Sequence, residues 1–131
     1  MVAAALAVAT LGACGSDKNS SAPRAGERPA TTARIQIVSP TPNEVTGPDV
    51  TVQVRLIGAR EVPQTSGPIK PDEGHIHVSV DGVVVAMAYG DSYTVKGLTP
   101  GQEHSVQVDF VAVDHIPFRN RVTAAVVFRV Q

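Results

Sequence analysis

Cysteine occurs once in the 131 residues, tryptophan not at all, and aromatic side chains make up only 4% of the chain. The single thiol, Cys14, excludes an internal disulfide and any multi-cysteine metal cage. No apolar run approaches the roughly twenty residues that a membrane-spanning helix needs. Neither sign of charge is in excess: eleven Lys and Arg against twelve Asp and Glu give a formal net charge of -1. That balance excludes the basic footprint of a nucleic-acid-binding domain. The length has room for one folded domain and not two. What abounds instead is valine, with 11 glycines and 10 prolines recurring at short intervals. Such a composition favours many short strands over helices.

The one cysteine ends an apolar, Ala-rich run from Val2 to Gly12, the length of a signal-peptide core. Leu11-Gly12-Ala13-Cys14 resembles the bacterial lipobox, in which a branched residue and two small ones precede the cysteine that is lipidated. The resemblance implies a signal peptide over residues 1–13 and a mature protein that starts at Cys14 and is held to the membrane by lipid on that residue. A signal peptide begins with Lys or Arg, whereas the first basic residue here is Lys18; the true start is therefore expected upstream of Met1. The alternative is an ordinary apolar start with an inert thiol. Residues 14–32 then turn to Gly, Ser, Asn, Asp, Lys, Pro, Ala and Arg, too polar to offset the entropy of ordering. They read as a tether, and the domain as residues 33–131.

From Ala33 onward hydrophobic residues recur with period two. Strands are predicted at 34–38, 49–57, 75–80, 83–89, 93–96, 104–113 and 122–130. Asp81-Gly82 supplies a two-residue hairpin turn between the third and fourth. Gly58 to Gly74 forms a seventeen-residue loop with three prolines, long enough in a small domain to suggest a function. About seven strands with regular turns predict an all-β fold, a two-sheet antiparallel β-sandwich. Leu98-Thr99-Pro100-Gly101 followed by His104 resembles the Leu-x-Pro corner of fibronectin type III domains, with His104 in the place of the corner tyrosine. The resemblance implies that Leu98, Pro100 and His104 are structural. A wider pattern covers roughly Ile35 to Val130: Gly74-His75-x-His77 with Asp81-Gly82, Leu98-x-Pro100-Gly101 with His104, then Asp114-His115-x-Pro117. It is similar to a group of uncharacterised Ig-like, fibronectin-III-like domains of bacterial secreted lipoproteins. This implies a location outside the cytoplasm and leaves the activity open.

Two of the four histidines stand at i and i+2 on one strand, His75 and His77, on the face opposite Ile76 and Val78. In an Ig-like topology the third strand pairs antiparallel with the sixth. The start of the strand at His75 then lies beside Val113, Asp114 and His115, and face parity brings the three imidazoles to the same side. Three imidazoles with Asp114 or Asp72 suit divalent copper, nickel or zinc. His104 cannot join them: eleven residues at the rise of a strand separate it from His115 by roughly 35 Å. The alternative is that His75 and His77 are polar residues on a solvated sheet face and that His115 caps a loop. Ser79 has no acidic partner for a catalytic triad. Asp72-Glu73 read as solvated carboxylates, Met87 as core in preference to a soft copper ligand, and Arg119 and Arg121 as exposed cations that need no partner, although lipid headgroups or an acidic partner could meet them.

The expected protein is thus a lipoprotein on the outer face of a bacterial cell membrane, with a non-catalytic Ig-like binding domain. Copper or zinc on His75, His77, His115 and Asp114 is the sharpest form of that expectation. A protein- or envelope-interaction module is the alternative, marked by an exposed apolar patch around Val62, Ile69 and Ile116. A hydrolase would need a deep polar pocket.

Overall fold

The computed structural model describes residues 27–131. The signal segment, Cys14 and the tether as far as residue 26 lie outside the described residues. Nine strands are present among those described: β1 (Arg34–Ser39), β2 (Val45–Thr46), β3 (Val50–Ile57), β4 (Arg60–Glu61), β5 (Glu73–Val80), β6 (Val83–Ala88), β7 (Ser92–Val95), β8 (Glu103–Ala112) and β9 (Pro117–Val130). One sheet has the order β1-β3-β7; the other runs β2-β9-β8-β5-β4, with β6 also paired to β5. The long strands pair antiparallel, while the two-residue strands β2 and β4 add short parallel pairings at the margins. The two sheets, antiparallel in their long strands, form the all-β sandwich that the period-two pattern predicts.

Alternation puts the core where the period-two reading expects it. Val50, Val52 and Val54 of β3 face Ile76 and Val78 of β5, Val106, Val108 and Phe110 of β8, and Val126, Phe128 and Val130 of β9, all of them buried. β9 begins earlier than expected, at Pro117 instead of Val122. The segment 114–120 therefore belongs largely to a strand with a bulge: Phe110 pairs with Val122, but its neighbour Val111 pairs with Pro117. The extra residues place Phe118 inside, its ring stacked on Phe110 at a centroid distance of 5.4 Å. Glu27 to Thr32, expected in the tether, lie against this bulge. Thr31 and Asn120 exchange two hydrogen bonds, and the Arg119 N–H donates to Pro29. A polar tract of this composition is held by backbone and amide partners that its own pattern does not announce.

His104 occupies the corner position. Its Nε2–H donates to the Thr99 carbonyl at 3.1 Å and its Nδ1–H to the Asp81 carboxylate at 2.7 Å. Both partners only accept, so both ring nitrogens carry protons, and the Asp81 hydrogen bond raises the imidazole pKa. Leu98 is buried beside the corner, whereas Pro100 is exposed. Asp81 and Gly82 both have positive φ, 48° and 83°, as a type I′ turn requires. The Asp81 carboxylate also accepts from the Ser105 N–H, so one aspartate ties the hairpin turn to the start of β8.

At the other end of β5, Gly74 pairs with Ala112. A Cβ on Gly74 would lie 2.0 Å from the Val111 carbonyl oxygen and 3.0 Å from two ring carbons of Phe110. Nothing but glycine fits without parting the two central strands. Gly74→Ala is expected to lower the unfolding free energy by about 3 kcal/mol, read by urea denaturation. A loss below about 0.5 kcal/mol would mean that the two strands separate freely there.

Candidate metal centre

The pairing of β5 with β8 sets the geometry. His75 lies opposite Val111 and His77 opposite Asp109, both on the outer face of the sheet. That face is closed at this end: His75 is 0% exposed, and Val111 and Val113 are buried although parity turns them outward. The reading of His75 as a residue on a solvated face is therefore overturned; only His77 and His115 are partly open. The Tyr89 ring stands 6.3 Å from that of His75.

His115 arrives from a three-residue hairpin loop, Val113 to His115, between β8 and β9. The His115 N–H donates to the Ala112 carbonyl and the Ala112 N–H to the Ile116 carbonyl. The last residue of such a loop takes the left-handed conformation and is usually glycine. Here it is His115, with φ of 66°, at a cost of about 1 kcal/mol or more for a side chain with a Cβ. The turn is held from outside by Arg28. Its guanidinium makes a bidentate pair with Asp114, at 2.8 and 3.0 Å, and donates to the Pro117 and Ile116 carbonyls. The hydrogen bond from Arg28 holds the Asp114 carboxyl below its ordinary range.

The three rings meet. His75 Nε2 and His77 Nε2 each lie 3.0 Å from His115 Nδ1, and one nitrogen from each ring falls within a 4.8 Å cluster. Two nitrogens bound to one ion at about 2.0 Å, at angles between square-planar and tetrahedral, are about 2.8–3.3 Å apart. The two observed separations fall inside that window. Burial, reinforced by the neighbouring imidazoles, lowers the His75 pKa to about 4. Burial also lowers that of His77. Both rings are neutral at pH 7 and keep a lone pair. Protons alone satisfy the cluster poorly. With the proton on His115 Nδ1, both Nε2 lone pairs point inward and His75 Nδ1–H has no acceptor; Nδ1 of His75 is buried without a partner. With the proton on His75 Nε2, that Nδ1 is left as an unmatched acceptor, and His77 must compete for His115.

Asp114, expected beside the histidines as a ligand, is not one of the cluster, because Arg28 takes its carboxylate. Asp109, across from His77, is bonded to Gln107 and Arg121. Glu73 pairs with Arg60 and Lys70, and Asp72 is exposed at the loop end. Arg119 pairs with Glu27, and Arg121 with Asp109. Met87, expected in the core, is 53% exposed on the edge strand β6. The anticipated apolar patch does not form: Ile69 packs against the core, Val62 is half-buried, and Ile116 alone of the three is exposed. A recess of about 440 Å³, lined by Val38, Gln53, Val54, Arg55, Leu56, Glu61 and Asp91, holds none of the histidines. Arg28 had no signal in the sequence; its role exists only once residue 28 meets a turn eighty-six positions away.

No family model and no curated protein matches the chain. Among solved structures it is similar to fibronectin(III)-like modules of CbhA from Clostridium thermocellum, at 16% identity and a TM-score of 0.48, over 74% of this chain and 96% of that one.

The left-handed residue at position 115 separates folding from any work the imidazole does. In the absence of metal, His115→Gly is expected to stabilise the domain by up to about 1 kcal/mol, relief of strain offset in part by chain entropy. Urea denaturation in a chelating buffer reads this; a clear destabilisation would show that the ring is needed to hold the turn.

Proposed function

We propose that this domain binds a transition-metal ion, copper or zinc, through His75, His77 and His115. The observation that carries the reading is the approach of two neutral Nε2 atoms to the same His115 Nδ1 at 3.0 Å. His75 and His77 are held at fixed register on a central strand, and deprotonated nitrogen donors of this kind suit both metals. The work we infer for the site is binding, and not catalysis. The protein around the domain is a lipoprotein, anchored through Cys14 on the extracytoplasmic face of a bacterial membrane. The Leu11-Gly12-Ala13-Cys14 motif and the polar tract behind it support that placement.

A second reading, interaction with another envelope protein, is favoured by one observation. Val83, Val84, Val85 and Met87 along β6 and Tyr89 just past its end are all exposed, an apolar sheet edge without the charges that usually guard one.

Calorimetric titration of Cu(II) and Zn(II) into the full chain tests the first reading. One ion per chain is expected, lost in the His75→Ala/His77→Ala variant. Unaltered binding in that variant would remove the site. Metabolic labelling with a palmitate analogue tests the anchor: the label is expected on the wild-type protein and absent from Cys14→Ser, and equal labelling of both would overturn it.

A further inference from the structure

Met87 is the Cα partner of His77 across the β5–β6 pair. Directly opposed residues of an antiparallel pair point to the same face, with Cβ atoms about 4.5–5.5 Å apart. The thioether therefore rises beside His77 on the side of the sheet that carries the three imidazoles. One step along the same face, Tyr89 reaches His75. The inward neighbours of Met87 are Ala86, packed against the core, and Ala88, within it; Met87 itself is more than half exposed. It fills no gap in the interior, so packing does not explain a long, flexible, sulfur-bearing side chain at this place. Its three rotatable bonds give it the reach and freedom to turn toward an ion held by His77.

We propose that the Met87 thioether is the fourth ligand of the histidine site and makes it a site for copper in the Cu(I) state. The inference rests on the reading of His75, His77 and His115 as a metal site. Three imidazoles alone accept zinc, nickel or copper with little distinction of type. A thioether is a soft donor that favours Cu(I) and adds little for Zn(II). Three nitrogens and one sulfur complete a four-coordinate set without any carboxylate, which fits the diversion of Asp114 to Arg28 and of Asp109 to Gln107 and Arg121. A site with no anionic ligand leaves the charge on the ion uncompensated, and a single positive charge is held there at less cost than two. The half-exposed Met87 on the edge strand also places the ion near the rim of the sheet, where it is open to exchange with a partner or a small chelator.

Anaerobic competition of the full chain against a bicinchoninate chelator measures Cu(I) affinity, with Zn(II) titrated in parallel. Met87→Leu keeps volume and apolar character, so folding is retained; circular dichroism checks that. The variant is expected to lose about 10- to 100-fold in Cu(I) affinity and to bind Zn(II) as the wild type does. X-ray absorption of the copper-loaded wild type is expected to show one sulfur scatterer that disappears in Met87→Leu. Unchanged Cu(I) affinity and an all-nitrogen shell would overturn the thioether ligand while leaving the three-histidine site standing. Equal losses for copper and zinc would overturn it as well, since they would report a general disturbance of the site. A wild-type chain that binds neither metal would remove both the site and its fourth ligand.

Discussion

Gly74 lies so close to β8 that no Cβ fits between the strands, and the placement of the histidine cluster follows from that approach. With Gly74 against Ala112, His75 must stand opposite Val111. The chain then has three loop residues before it returns, and the last of them is His115. A shift of one residue in the pairing would turn His75 and His77 into the sandwich and Ile76 out of it. The large apolar face of β5, with Ile76, Val78 and Val80 all buried, opposes such a slip. The core thus fixes the register, and the register delivers two of the three rings. Neither Nε2 needs a loop to place it, which is the usual condition for precise ligand geometry.

The third ring is delivered differently. His115 depends on a strained backbone, and strain persists only where the surroundings over-determine it. Those surroundings are the Ala112 turn hydrogen bonds, the Asp114 side chain accepting from the Ile116 N–H, and Arg28 clamped across Asp114, Ile116 and Pro117. Arg28 comes from the polar stretch that precedes β1. Removing that segment would leave the histidines in place in the sequence and the Asp114 carboxylate without its guanidinium. Among the described residues, Glu27 and Arg28 both contact the bulged start of β9, although no alternation marks them as part of the sandwich.

How much of this the sequence disclosed depends on the range of the interaction. Alternation marked the seven principal strands, and Asp81-Gly82 marked the hairpin, because both are local. The pairing of β5 with β8, together with parity, brings His75, His77 and His115 to one end of one sheet on the sequence alone. Parity could not say what lies above a face, so the burial of His75 was out of reach. Nor could it tell an edge strand from a central one. The run Val83 to Ala88 reads as core, yet β6 has a neighbour on one side and a bulge near Val85, and Met87 stands in the open. Asp114 beside His115 looked like a ligand because neighbours in sequence seemed to be neighbours in role. Its carboxylate faces the other way, toward a cation that the sequence places in a polar tract. Pro117-Phe118 was hidden for a related reason: a proline after Asp-His reads as loop, whereas here it opens a bulged strand whose Phe118 is drawn in by Phe110.

The two histidine environments at opposite ends of the sandwich show what distinguishes a structural imidazole from one that can bind. His104 and His75 are both buried, so burial alone does not decide. His104 faces a carboxylate and a carbonyl, both acceptors, which draw protons onto both nitrogens and leave no lone pair to offer. His75 faces two other imidazoles and no anion in contact, and burial with the neighbouring rings outweighs the lesser opposing pull of Asp114 to keep it neutral. A carboxylate placed as Asp81 is placed would have charged the cluster and closed it to cations. The diversion of Asp114 to Arg28 therefore does two things at once: it anchors the strained turn, and it takes from the cluster the one nearby group that would favour protonating His75. What keeps the three nitrogens available is as much the removal of that carboxylate as the convergence of the rings.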